Sequence, residues 1–249
     1  RLSTANSINT TRLLPQSFYY MYSSLVVKNR APHDCKIDNP SIICVVPSGN
    51  FGNLTSGLIA QKMGAPIKGF VAATNANRTI PDWIATGEYK ARPSVATLSN
   101  AMDVGAPSNY ERISAMYTLE EVRELFASYW LDDEGTSKAI KDCNSKTGYI
   151  IDPHGAVGYQ AWNDIRKGAI DKLTAGIKNP IENPGLTPNL PTWANDVINK
   201  QAVGIILETA HPAKFGDIVK SAIGRDPVMP DRLEKVLSLP NNAIPMENN

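Results

Sequence analysis

Val46-Pro47-Ser48-Gly49-Asn50-Phe51-Gly52-Asn53-Leu54-Thr55-Ser56-Gly57-Leu58 carries the chain from one regular element into another. The apolar run Ile42, Ile43, Cys44, Val45, Val46 precedes it, and Leu54, Leu58, Ile59 and Met63 follow at helical spacing. This pattern predicts a buried strand over 42–46, a tight loop, and a helix over 53–63. Gly49 and Gly52 let the backbone turn sharply and approach a ligand closely. Loop N–H groups at a helix N-terminus, helped by the helix dipole, favour an anion. The reading is a phosphate cradle; the plainer alternative is a strand-to-helix turn with Ser48 or Asn50 as N-cap. No Gly-Lys-Ser/Thr follows Gly52, so this is not a Walker A loop, and the third glycine of the dinucleotide fingerprint is missing.

Downstream, Gly64 and Pro66 end that helix, and Gly69–Thr74 reads as a second strand, completing a βαβ unit and predicting a parallel sheet. Upstream, residues 7–27 have helical spacing (Leu13, Leu14, Phe18, Tyr19, Tyr22, Leu25), and 29–40 read as a surface loop. Residues 75–110 read as a long polar loop with a short helix near 81–86. Thr118 and Glu121 form a capping box ahead of a helix over 119–130. Further helices are expected at 136–146, 155–167 and 213–223, and strands at 149–151 and 203–208. Pro180, Pro184, Pro188 and Pro191 mark 176–195 as an irregular excursion over the surface, and 226–249 as a proline-bearing tail follows. The fold class is α/β, with helices on both faces of a mostly parallel sheet. Polar clusters follow three of the strands: the glycine loop, the Asn-rich segment after Ala73, and 209–212. Ligands of such sheets bind beyond the strands' carboxyl ends, so the three clusters predict one shared site.

A chain of 249 residues with 42% hydrophobic content can bury a sizeable core. A net charge of +1 argues against capture of nucleic acid or an acidic membrane, and no apolar run is long enough to span a bilayer. Cys35, Cys44 and Cys143 form neither a disulfide framework nor a metal pattern, which suits a cytoplasmic setting with no metal.

Several segments together resemble the longer branch of the threonine synthase family. They are Thr4-Ala5-Asn6-Ser7-Ile8-Asn9 with Arg12, Pro47-Ser48-Gly49-Asn50-Phe51-Gly52, Ala73-Thr74-Asn75-Ala76-Asn77, and Thr97-Leu98-Ser99-Asn100-Ala101-Met102-Asp103-Val104. Asp152-Pro153-His154-Gly155-Ala156-Val157 and Thr209-Ala210-His211-Pro212-Ala213-Lys214-Phe215 complete the set. The resemblance implies a pyridoxal-phosphate enzyme of fold type II, similar to the tryptophan synthase β chain. It implies a carbon–oxygen lyase acting on phosphate, which converts O-phosphohomoserine and water to threonine and phosphate. The family's Schiff-base lysine lies in a Phe-Lys-Asp type motif that these residues lack. The chain therefore resembles the C-terminal part of the cofactor-binding large domain, with the N-terminal part of the enzyme as its partner and no catalytic lysine of its own. A related dehydratase or phospholyase, or a non-catalytic phosphate-binding module, are the alternatives.

The resemblance assigns Gly49, Asn50, Phe51, Gly52 and Asn53 to the cofactor phosphate, Asn53 standing where many relatives have Asp. It assigns Thr209 to the pyridine nitrogen, and Asn6, Ser7, Asn9 and Arg12 to the substrate phosphate, with Asn50 as a further contact. The plainer readings are a helix cap for Thr209 and a capped helix with a solvated arginine for the Asn-Ser-x-Asn-x-x-Arg cluster. His154 and His211 are expected to be structural, Lys214 structural or anion-balancing, Arg112 a further possible anion contact, and Glu120, Glu121 and Glu124 a solvated face.

Overall fold

The computed structural model describes residues 9–34, 36–167, 185–186 and 190–240. Helix α1 spans Thr10–Asp34, β1 Ser41–Pro47, α2 Gly52–Lys62 and β2 Gly69–Thr74. Helix α3 covers Thr79–Thr86, α4 Tyr110–Met116 and α5 Leu119–Leu125, followed by β3 at Phe126–Trp130. Helix α6 (Asp133–Thr147), α7 (Pro153–Arg166), the two-residue β4 (Gly185–Leu186) and β5 (Ala202–Ile206) complete the frame.

The strands lie in the order β4-β3-β2-β1-β5. All pairs are parallel except the antiparallel edge β4 on β3. The chain steps outward from β1 to β2 to β3, then returns to add β5 on the other flank of β1. The order therefore reverses between β1 and β5, where doubly wound sheets open a crevice at their carboxyl ends. Alternate side chains feed two cores. Ile43, Val45, Val71, Ala73, Ala127 and Tyr129 pack with α6 and α7 residues. Cys44, Val46, Phe70, Ala72 and Phe126 pack against the α1, α2 and α3 side. Period-two alternation with both faces covered is what a central parallel strand requires.

The α/β class, the strand–loop–helix over 42–63 and the Thr118/Glu121 capping box appear as expected. Other elements differ. The expected helix over 119–130 stops at Leu125, and Phe126–Trp130 is a fully buried strand. A continuous apolar run carries no period, and its aromatic residues suit a strand buried on both faces. The expected strand at 149–151 joins no ladder; it is an extended connector whose Ile151 is buried. Helix α1 continues past residue 27 to Asp34, because its polar residues there face solvent, with Arg30 paired to Asp34 at 3.2 Å, while Ala31 stays buried.

The expected surface excursion enters the core where it is described. Trp193 is buried and its Nε1 donates to the Leu125 carbonyl oxygen at 3.2 Å, and the helix Ala194–Ile198 buries Ala194 and Val197. Residues 213–223 divide into a 3-10 turn, Pro212–Phe215, and a helix, Gly216–Ile223. The tail holds a helix at Asp231–Leu237. Asn6, Ser7, Cys35, most of 176–189 and residues 241–249 lie outside the described residues.

Candidate active site

A cleft of about 620 Å³ opens where the strand order reverses. Its walls are the glycine loop after β1, the segment after β5, one edge of α1, and Ala101–Met102. Gly49, Asn50, Phe51, Gly52, Asn53, Thr209 and Arg12 all line it.

The glycine loop is set by backbone contacts. Ser48 N donates to the Ala73 carbonyl oxygen at 2.8 Å, tying the loop to β2. A Cβ on Gly49 would stand 2.6 Å from the Met102 Cα, so only glycine lets the two backbones pass. Phe51 adopts a left-handed conformation (φ 62) as the N-cap of α2, with no side-chain hydrogen bond to the first turn. Neither Ser48 nor Asn50 is the cap: Ser48 Oγ donates to the Val46 carbonyl oxygen, and Asn50 Oδ1 accepts from Ser108 N and Oγ at 2.7 and 3.0 Å. A helix start without a side-chain cap, lining the cleft, fits a phosphate.

Asn53 is held from the other side. Its Oδ1 accepts from Tyr19 and Tyr20 hydroxyls at 2.6 and 2.7 Å, so its side chain bonds α2 to α1. Tyr19 lines the cleft beside Arg12; burial raises its phenol to about 12 although the Asn53 bond and the Arg12 charge both oppose the shift. Asn9 does not line the cleft. Its Oδ1 accepts from Thr11 N at 3.0 Å at the start of α1.

Thr209 is exposed in the cleft, and the following turn is capped by another residue: His211 Nδ1 accepts from Ala213 N at 3.1 Å. His211 is structural, as expected. Arg112 donates to Asn109 Oδ1 at 2.7 Å, and Asn109 Nδ2 donates to the Asn50 carbonyl oxygen at 2.8 Å, so Arg112 braces the loop from behind.

The shared site expected of three polar clusters gathers two of them. Asn75 is buried in a closed network, its Nδ2 donating to Thr97 Oγ1 and Asp103 Oδ1 at 2.8 Å and its Oδ1 accepting from Asn77 N at 2.9 Å. This network holds residues 95–103 against β2 and so presents Met102 to the cleft.

Sequence reading missed Glu208, Phe215 and the cleft position of His154 and Lys214. Asp152 is wholly buried as the N-cap of α7; its Oδ1 accepts from His154 N at 2.9 Å and meets His154 Nδ1 at 2.7 Å. Asp-Pro-His is a legible helix start, but no spacing announces that a glutamate fifty-odd residues later meets it.

Residues 192–249 match a family described as "Threonine synthase, C-terminal". Threonine synthase of Haemophilus influenzae is 37% identical over 99% of this chain and 49% of its own length. The crystal structure of threonine synthase from Escherichia coli superposes with a TM-score of 0.72 at 33% identity, over 96% of this chain and 47% of that one. Over nearly all of its length the chain is similar to threonine synthases. It spans about half the length of the curated threonine synthases it matches. A pyridoxal-phosphate-bound threonine synthase from Brucella melitensis also superposes, with a TM-score of 0.67 at 28% identity over 93% of this chain and 47% of that one. Among the described residues no helix is long and apolar enough to cross a membrane.

Proposed function

We propose that this chain is the C-terminal part of a threonine synthase and forms the phosphate-binding half of its pyridoxal-phosphate site. The observation that carries the reading is the meeting of the glycine loop, Thr209 and Arg12 in one cleft at the sheet's switch point. The full enzyme would convert O-phosphohomoserine and water to threonine and phosphate, in the cytoplasm, with a Schiff-base lysine outside these residues.

Each group has a task. The backbone N–H groups of Gly49 to Asn53 hold the cofactor phosphate against the α2 N-terminus. The Thr209 hydroxyl meets the pyridine nitrogen; a hydroxyl, unlike a carboxylate, does not stabilise a protonated ring. Arg12, with Asn9 capping its helix and Asn6 and Ser7 preceding it, clamps the substrate phosphate, for which the guanidinium fork is suited. Pyridoxal phosphate, when bound, supplies the electron sink for carbanion chemistry. The chain's contribution is to orient cofactor and leaving group so that phosphate departs from a fixed, electrostatically complementary position. Lys214 adds a second cation to that cleft.

The test is phosphate release and product analysis with the full-length enzyme. Threonine as product supports the synthase. 2-Oxobutanoate would make it a dehydratase-like phospholyase. The chain alone should release no phosphate from O-phosphohomoserine above the rate of free cofactor; turnover by the chain alone would overturn the assignment of the lysine elsewhere.

A further inference from the structure

Three observations converge on the wall beside Thr209. Asp152 Oδ2 is buried and meets no hydrogen-bond donor among the described residues, while its other oxygen is taken by His154. An unpartnered buried carboxylate oxygen is costly. The Glu208 carboxyl sits in the notch left by Gly155, where a Cβ would stand 2.0 Å from Oε1 and 2.8 Å from Oε2. Glu208 is also in hydrogen-bonding contact with Asp152. The Glu208 residue is exposed as a whole at the cleft rim, but its carboxyl end is tucked against the start of α7.

Two carboxylates cannot hydrogen-bond each other unless one carries a proton. We propose that Glu208 and Asp152 share one proton, and that this hydrogen bond latches the segment after β5 onto the N-terminus of α7 and so positions Thr209 in the cleft. Glu208 is a positioning residue: it immediately precedes Thr209, and where its carboxyl docks sets the direction in which the Thr209 hydroxyl is presented. The positioning role rests on the reading of the cleft as a pyridoxal-phosphate site; the shared proton does not.

The surroundings agree. Burial first, and then the Asp152 charge and hydrogen bond, raise the Glu208 carboxyl from the usual carboxylate range to about 8. The other titratable groups facing it are His154 on α7, Tyr149 on the connector before α7 and Cys143 on α6; Lys214 lines the same cleft. His154 Nδ1 is already committed to Asp152, so it does not supply Oδ2. A carboxyl raised in the fold stabilises it fully below its unfolded value near 4.5, and loses that contribution as pH climbs toward 8.

The test compares the full-length enzyme with its E208Q, E208A and G155A variants. Gln keeps a donor for Asp152 Oδ2 and does not titrate. The gap in melting temperature between E208Q and wild type should be small at pH 5, widen by on the order of 5 °C by pH 8, and stay flat above. A gap independent of pH would overturn the shared proton, whatever the cleft binds. Pyridoxal 5′-phosphate and inorganic phosphate are then titrated into each protein. E208A and G155A should bind pyridoxal phosphate about five- to tenfold more weakly at pH 7 while keeping inorganic phosphate within about twofold, a loss of roughly 1 kcal/mol. E208Q should match wild type at pH 7 and exceed it at pH 9. Unchanged pyridoxal phosphate affinity in E208A would overturn the positioning role. Wild type that binds inorganic phosphate and no pyridoxal phosphate would overturn the cofactor reading, and the melting comparison then decides the shared proton alone.

Discussion

Ser48–Asn53 and Asn75–Asp103 are two regions that begin after adjacent parallel strands, both opening on Asn and other polar residues, and they do opposite things. In the second, side chains satisfy one another: Asn75 Nδ2 alone reaches Thr97, Ser99 and Asp103, and Asn77 closes the loop on Val95 through both amide atoms. In the first, side chains turn outward to brace neighbours, Asn50 to Ser108 and Asn53 to Tyr19 and Tyr20, while the start of α2 has no side-chain cap. A polar loop that satisfies itself is a scaffold. A polar loop that leaves its helix start without a side-chain cap is open to a ligand. The two touch at Gly49, whose missing Cβ lets the scaffold's Met102 press against the site's backbone.

Asn75→Ala should break the scaffold most severely. It strands several buried groups at once, and we expect a loss of about 3 kcal/mol in denaturant melts. A loss under about 1 kcal/mol would show the network to be replaceable by water. Gly49→Ala attacks the junction. The added methyl must displace the Met102 backbone, costing roughly 2 kcal/mol of stability. Inorganic phosphate affinity, followed by calorimetry, should fall tenfold or more; retained affinity would place the anion elsewhere.

Thr209→Ala and Arg12→Ala sharpen the division within the site. Both residues are exposed, so neither change should move stability by more than about 0.5 kcal/mol. In the full enzyme, Thr209→Ala should weaken cofactor retention by about 1–3 kcal/mol and alter its absorption, whereas Arg12→Ala should raise the KM for O-phosphohomoserine with the cofactor held. The reverse pattern would exchange the two roles. The smallest effect is expected from Asn53→Asp. The carboxylate still accepts both tyrosine hydroxyls and sits in the first turn of α2, gaining about 0.5 kcal/mol from the helix dipole. Its charge should weaken phosphate binding by a few-fold, and stronger binding would contradict the cradle.

The loop 47–52, the helix after it and the capping box at Thr118 were legible because each is local: turn residues, caps and apolar spacing act within a few positions. Phe126–Trp130 was not, because a run buried on both faces has no period to read, and its pairing with Phe70–Thr74 is a long-range fact. The Asn75 cluster looked like site chemistry because composition records which polar groups are present and not whether they meet one another.

By itself the sequence determined an α/β chain, a glycine-bearing loop between the first strand and its helix, and a resemblance to one family through motifs spread along its length. Only the tertiary structure decided that β5 returns beside β1 and brings Thr209 across from the glycine loop, that Asn75 is scaffold, and that Glu208 meets Asp152 over Gly155. The reason is physical. Local propensity and hydrogen bonding fix the elements, but the order of strands, and so the neighbours of each buried charge, follow from how separate apolar faces pack together.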